Sequence, residues 1–409
     1  MISIIKRNKF DYEKFINYFI VLYAFCLPIA RAGVSISTIV IILLWILQGD
    51  FKRKIEEIKN NYFILSILVF ILYSFIAILW SSDHIFALGI VKKYYHFLII
   101  PIILTSLKKE YINIVFSAFL LSMLISEITS YGVFLEIWTI EGVSRMDPSP
   151  FMVRTDYSIY LAFTAFILMH RIIYTDNLKW KLAYGIFFLI SFGNLFLNAG
   201  RVGQFAFLIT LSIVGIINFK NKLKATIIFI FLGMTIFVSA YNISPVFKQR
   251  FDYFLLDVEK MVYEKNYSNS FSTRVALWLS GIEGSKDNLI FGIGIGDEYL
   301  STKNSIDNFK VEHFPNGKTE NYVNFHSAYI QHLVQIGIIG LILFISIFYF
   351  MFTLKIQDKR YKNLLYIFVI LCLLFSITGQ SFSIQRFMVL FSLFGGVFSV
   401  ISKLEIVDK

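Results

Sequence analysis

Residues 63–80 read FILSILVFILYSFIAILW, an unbroken apolar run without a charged side chain. As a helix such a run extends about 27 Å at 1.5 Å per residue, close to the ~30 Å of a bilayer's hydrocarbon layer. Its continuity excludes the period-two alternation of an outer-membrane barrel strand. Outward from it, comparable runs lie near 15–30, 33–48, 62–80, 86–106, 111–135, 156–174, 180–197, 202–218, 225–243, 327–352, 364–379 and 386–402. At about 20 residues each, twelve spans take roughly 240 positions, and 57% of the 409 residues are hydrophobic. Only 16% are charged, against about 25% in soluble domains. The chain therefore reads as an all-α polytopic membrane protein of about twelve transmembrane helices. It divides into residues 1–243 with nine spans, a long polar loop at 244–325, and residues 326–409 with three spans and a tail.

The net charge of +11 reports topology rather than a nucleic-acid partner, because short cytoplasmic loops retain basic residues and meet anionic head groups. Alternate loops hold Lys52, Arg53, Lys54 and Lys59; Lys108 and Lys109; Arg171, Lys179 and Lys181; Lys220, Lys222 and Lys224; and Lys355, Lys359, Arg360 and Lys362. The opposite short loops offer only Arg31, Arg145, Arg154, Arg201 and Arg386. This asymmetry puts both termini in the cytoplasm and 244–325 outside. The basic start, apolar stretch and Ala30-Arg31-Ala32 imitate a cleavable leader, but a second apolar run follows at Gly33 almost without a gap. A hairpin of two spans is expected there. Cys26 and Cys372 lie in apolar runs and imply neither a disulfide nor a metal site. No internal repeat or inverted hydropathy symmetry of the transporter kind is visible.

Charge at a membrane boundary is costly unless it snorkels or is used. Head-group anchoring accounts for any single external arginine, Arg154 and Arg386 included; phosphate binding is the functional alternative. Arg201, in LNAGRVGQFAF, follows a connection that is barely a turn, so its guanidinium is held at a helix start. A helix N-terminus favours anions and arginine adds a planar fork for phosphate oxygens. The small residues Ala199, Gly200 and Gly203 would let backbone and ligand approach closely.

In the long loop, SNSFSTRVALWLSGIEG predicts a short amphipathic helix with Val275, Trp278, Leu279 and Ile282 on one face and Ser272 as cap. Arg274 falls in its first turn, four residues before Trp278 and over the same face. A helix lying on the bilayer with Arg274 on lipid phosphate is the structural alternative to a binding role. FGIGIGDEY has no βαβ unit around it and predicts a tight external turn, not a dinucleotide fingerprint. His84 and His313 fall in exposed loops, His96 and His170 near span ends, and His332 inside span ten. His326 opens span ten at the outer boundary, where an imidazole can take a proton from a hydroxyl near neutral pH. No second histidine or carboxylate stands at i+3 or i+4 from it, so no metal site is expected. Lys92 and Lys93 lie about two turns inside span four, roughly 10 Å by helix rise. Snorkelling explains them, and contact with a carrier phosphate is the alternative.

The segment HSAYIQHLVQIGIIGL, His326-Ser327 with Gly337, Gly340 and Leu341 at fixed distances, resembles the signature of bacterial O-antigen ligases. NAGRVGQFA in mid-chain, RVALW in the long loop, LWSSD at 79–83 and about twelve spans extend the resemblance over most of the length. One departure is Asn198-Ala199-Gly200 before Arg201, where relatives commonly carry serine. The resemblance implies a GT-C-type glycosyltransferase of the bacterial inner membrane. Such an enzyme moves a polysaccharide from an undecaprenyl diphosphate carrier to the lipid A core at the periplasmic face, without a cofactor. It implies His326 as the base, with Arg201 and Arg274 offsetting the charge of the departing diphosphate. Trp278, Arg154, Arg386, Lys92 and Lys93 are further candidates for diphosphate or glycan. O-antigen polymerases share the arginine, long loop and histidine pattern. A flippase or transporter is the alternative from another class; beyond Lys92, Lys93 and Glu127 the spans lack the ionisable residues it would need.

Overall fold

The structure, a computed structural model, describes residues 11–302 and 324–407; His313 lies outside them. Its helices are α1 (Tyr12–Ile29), α2 (Arg31–Gln48), α3 (Phe51–Lys59), α4 (Tyr62–Ala77), α5 (His84–Val91), α6 (Ile99–Ser106), α7 (Lys109–Phe134), α8 (Arg154–Tyr174), α9 (Leu178–Leu197), α10 (Arg201–Asn218), α11 (Lys222–Ile243), α12 (Pro245–Glu259), α13 (Ser272–Gly284), α14 (Glu298–Thr302), α15 (Ala328–Phe352), α16 (Lys359–Thr378) and α17 (Gln385–Val407). Among the described residues twelve stretches are long and apolar enough to cross a membrane, and they coincide with the twelve runs read from the sequence. The fold is all-α and polytopic, as expected.

Polar residues at the boundaries set where helices begin. The side-chain oxygens of Asn61, Asp83, Asn177, Asn221 and Ser244 accept backbone N–H groups two or three residues on, opening α4, α5, α9, α11 and α12. Each cap satisfies a donor that the first helical turn leaves free. α1 and α2 pack as the expected hairpin. α17 is the most enclosed span and α11 the most exposed, so the first is the axis of the bundle and the second its edge. Around the axis Phe97, Phe163, Phe368, Phe382 and Phe391 form a continuous aromatic core. His332 is buried among Phe70, Phe344 and Phe382, consistent with a core histidine.

Span ten departs from the sequence reading: it is not one continuous helix. The backbone leaves helical geometry at Ile336 and Gly337, where Gly337 takes φ 69°. The glycine-rich FGIGIG segment fills the break. Ile293 N–H donates to Val334 O at 2.9 Å, Gly294 N–H to Gln335 O at 3.1 Å, and Ile338 N–H to Leu289 O at 2.9 Å. These bonds satisfy the groups that a broken helix would leave unpaired in an apolar surrounding. A Cβ on Gly337 would stand 2.1 Å from Ile290 O, so the approach needs glycine. The segment is the expected turn, and it also locks an external loop into span ten.

Candidate functional site

The site forms where the starts of α8, α10 and α13 meet the residues before α15. Asn198 shapes the turn into α10, its Oδ1 accepting Gly200 N–H at 2.7 Å and its Nδ2 donating to Ser149 Oγ at 2.6 Å. Gln204 Nε2 then donates to the carbonyls of Leu195 and Asn198 at 2.9 Å each. Arg201 is the first residue of α10, half-buried, and its guanidinium donates to Arg250 O at 3.3 Å. The small residues here serve helix packing: Gly203 N–H donates to Ser158 Oγ of α8 at 3.1 Å.

Arg274 is the third residue of α13. Ser272 opens that helix, but the cap is Asp257, whose carboxylate accepts the N–H groups of Phe271 and Ser272 and the Ser272 hydroxyl. The large apolar residues read as one face are not the side that packs inward. Leu279 and Ile282 are exposed, while Ser272, Ala276, Leu277 and Ser280 are enclosed. Small residues are needed on the inner side because it lies on Phe325 and α14, where a Cβ on Gly284 would meet Ser301 O at 1.9 Å. Trp278 Nε1 donates to Phe325 O at 2.7 Å, the carbonyl immediately before His326. His326 itself takes φ 49°, left-handed for a non-glycine residue, and its N–H donates to Asn324 Oδ1 at 2.7 Å.

Two cavities abut here. The first, about 320 Å³, is lined by Arg154, Arg201, Arg250 and Arg274 at one end. Away from the arginines its wall is apolar: Val202, Phe205, Ala206 and Ile209 follow one face of α10, opposite Leu374 and Ile377 of α16 and Phe247, Phe251 and Phe254 of α12. The second, about 660 Å³, is lined by His326, Asn324, Gln380, Asp147, Arg31, Arg154 and Arg274, among others. Arg154, Thr155, Val202, Arg274 and Thr378 line both. Arg154 lies 3.5 Å from Asp147, whereas Arg201, Arg250 and Arg274 have no carboxylate within ion-pair distance among the described residues. Burial first, then the charges of Arg201 and Arg154, lowers the proton affinity of Arg274. Burial first, then Arg274, depresses the His326 imidazole to about 4. The arrangement is a cluster of four arginines, one of them paired with a carboxylate, beside a neutral imidazole, and it is suited to an anion.

Of the residues named from the sequence, Arg154, Arg201, Arg274 and His326 come together here. Trp278 stands behind them on the Phe325 carbonyl. Arg386 is buried elsewhere, donating to Leu27 O at 2.6 Å and to Phe151 O at 2.8 Å, and so ties the end of α1 to the loop flooring the larger cavity. Lys92 and Lys93 are exposed on the 3-10 stretch that interrupts span four and line neither cavity. Arg145 pairs with Glu136 at 3.5 Å at the surface. Sequence reasoning missed Arg250. Its signal was the i, i+3, i+4, i+7 spacing of Phe247, Arg250, Phe251 and Phe254, which puts the arginine on the phenylalanine face of α12. Among the described residues no group of three His, Cys, Asp or Glu side chains is arranged to hold a metal ion.

The resemblance read from the sequence is borne out. The family model described as O-antigen ligase matches residues 186–345, and over that stretch the chain is similar to O-antigen ligases. The match includes Arg201, Arg250, Arg274 and His326, while Arg154 comes from outside it. No curated protein matches the chain.

Proposed function

We propose, from the match to the O-antigen ligase family model over residues 186–345, that this membrane protein is a glycosyltransferase and, within that class, a ligase. It transfers a polysaccharide from undecaprenyl diphosphate to the lipid A core at the periplasmic face of the inner membrane. The observation that carries the reading is the pairing of the two cavities: an arginine cluster at the head of an apolar trough, sharing a wall with a pocket that holds His326.

A polyprenyl diphosphate fits the first cavity in chemistry as well as shape. Its phosphates meet Arg154, Arg201, Arg250 and Arg274, and its chain follows the α10 face as far as Ile209, about 12 Å deeper by helix rise. The larger cavity takes the acceptor sugar. The acceptor hydroxyl oxygen attacks the anomeric carbon, the bond from that carbon to the phosphate oxygen breaks, and the configuration inverts. The hydroxyl proton passes to His326 and then to water. The electron pair of the broken bond leaves on undecaprenyl diphosphate, whose added charge the arginines offset. Lys is a poor substitute for such arginines because it loses the planar fork.

The polymerase reading shares the donor and differs in the acceptor, a second lipid-linked glycan. Analysis of surface glycolipid from a strain lacking the chain separates them. Loss of the ligase leaves bare core with long polymer stranded on its carrier. Bare polymerase loss, core bearing a single repeat, overturns the assignment.

A further inference from the structure

Behind the His326 turn lies a buried polar network that the proposed chemistry does not use. Glu298 of α14 is 0% exposed. One of its oxygens, Oε1, accepts from Gln331 Nε2 at 2.7 Å and from Gln335 Nε2. Both glutamines belong to the outer segment of α15, before its break. The other end of the Gln331 amide faces the site: Oε1 accepts Phe325 N–H at 3.4 Å and Gln380 Nε2 at 3.0 Å. Phe325 directly precedes His326, and Gln380 lines the larger cavity with it.

We propose that Glu298 is a positioning residue: through the Gln331 amide it fixes the backbone that presents His326 and the Gln380 side chain that stands beside it. The inference rests on the reading of His326 as proton acceptor. A glutamine amide has one accepting and one donating end. A Glu298 oxygen that accepts from Nε2 therefore turns the Gln331 oxygen toward Phe325 and Gln380. Because a single Glu298 oxygen receives both amides, the arrangement holds whether or not the second oxygen carries a proton. The site needs such a hold, since a left-handed histidine persists only where its surroundings over-determine it. Trp278 on the Phe325 carbonyl, Asn324 on the His326 N–H and Gln331 on the Phe325 N–H are those restraints.

The test compares Glu298→Leu with Glu298→Gln, which keeps an accepting oxygen, in the full-length detergent-solubilised protein. Two readouts are used: steady-state transfer with a polyprenyl diphosphate glycan donor, and hydrogen exchange of the 324–331 backbone. Glu298→Leu is expected to lower kcat about 10-fold or more, because small misplacements of a reacting group are costly, with donor KM held within about twofold. Exchange over 324–331 should accelerate, and Glu298→Gln should restore both. In a His326→Ala background Glu298→Leu should cost nothing further. Gln331→Met breaks the same link from the other side and is read in the same way if Glu298→Leu does not accumulate. Unchanged exchange in both variants, or an equal further loss on top of His326→Ala, overturns the proposal. Normal transfer by His326→Ala overturns the proton-acceptor reading instead, and the exchange readout then judges the hold of Glu298 by itself.

Discussion

Gly203 of α10 and Ser158 of α8 stand back to back: the Gly203 N–H donates to Ser158 Oγ at 3.1 Å, and a Cβ on Gly203 would meet the Ser158 carbonyl oxygen at 2.2 Å. The contact seats the start of α10 on the start of α8 and so brings Arg201 to Arg154. Gly203→Ala should push the two helix starts apart, with an overpacking cost of about 1–3 kcal/mol and weaker donor binding. Gly233→Ala, in α11 with open space around it, is the control and should leave both unchanged. Thermal unfolding and donor binding of the two variants check this, and equal behaviour would remove the packing role.

Burial and Arg274 hold the His326 imidazole at about 4, below its ordinary value near 6.5. The neutral, proton-accepting form therefore predominates above about pH 4 in the free enzyme. The acid limb of kcat/KM, which reports the free enzyme, should lie near that value. A bound diphosphate offsets the positive charge of Arg274 and should raise the imidazole pKa, so the acid limb of kcat should lie at higher pH than that of kcat/KM. Profiles of both constants measure the difference. An acid limb that moves to lower pH with donor bound would contradict the proposed placement of diphosphate and histidine.

Transfer should continue in EDTA. Four arginines line the first cavity, and in the proposed reaction they supply the positive charge that a divalent cation would otherwise bring to a departing diphosphate. Purified protein assayed with chelator, then with added magnesium or manganese, decides the matter; activity lost and then restored would refute metal independence.

The lysine-rich connections and the arginine-histidine site fall on alternate connections of the twelve spans. Cysteine introduced at Lys286, exposed beside α13, should react with an impermeant thiol reagent in intact spheroplasts, and cysteine at Lys222 should be protected. The reverse pattern would invert the topology.

Span positions were legible because each depends on local composition, and asparagine or aspartate marks several helix starts. The break at Ile336–Gly337 was not, since it exists only because the distant FGIGIG segment pairs with it. Arg201, Arg274 and His326 were readable as boundary residues with suitable chemistry, and their convergence depends on how α8, α10 and α13 pack. The inner side of α13 was not legible, because small residues, rather than large apolar ones, meet a tightly packed neighbour. Arg386 shows the opposite limit: an arginine at a span boundary serves here to tie backbone carbonyls together, and nothing in its local sequence separates that use from phosphate binding.

The sharpest separation is between the arginines and the histidine. Arg201→Ala, Arg250→Ala and Arg274→Ala should weaken donor binding as well as turnover, since each guanidinium lines the cavity assigned to diphosphate. The Lys variants should recover only part of this, keeping charge without the fork. His326→Ala should lower turnover about 10²-fold or more while donor binding persists, because the histidine lines the neighbouring cavity and not the trough. Trp278→Phe, which removes the donor to the Phe325 carbonyl, should follow the histidine rather than the arginines: turnover falls and donor binding holds. Protein yield and monodispersity in detergent must accompany each measurement. Normal transfer by a well-folded His326→Ala protein would leave the proton without its proposed acceptor. Undiminished donor binding by all three arginine variants would move the diphosphate out of the trough.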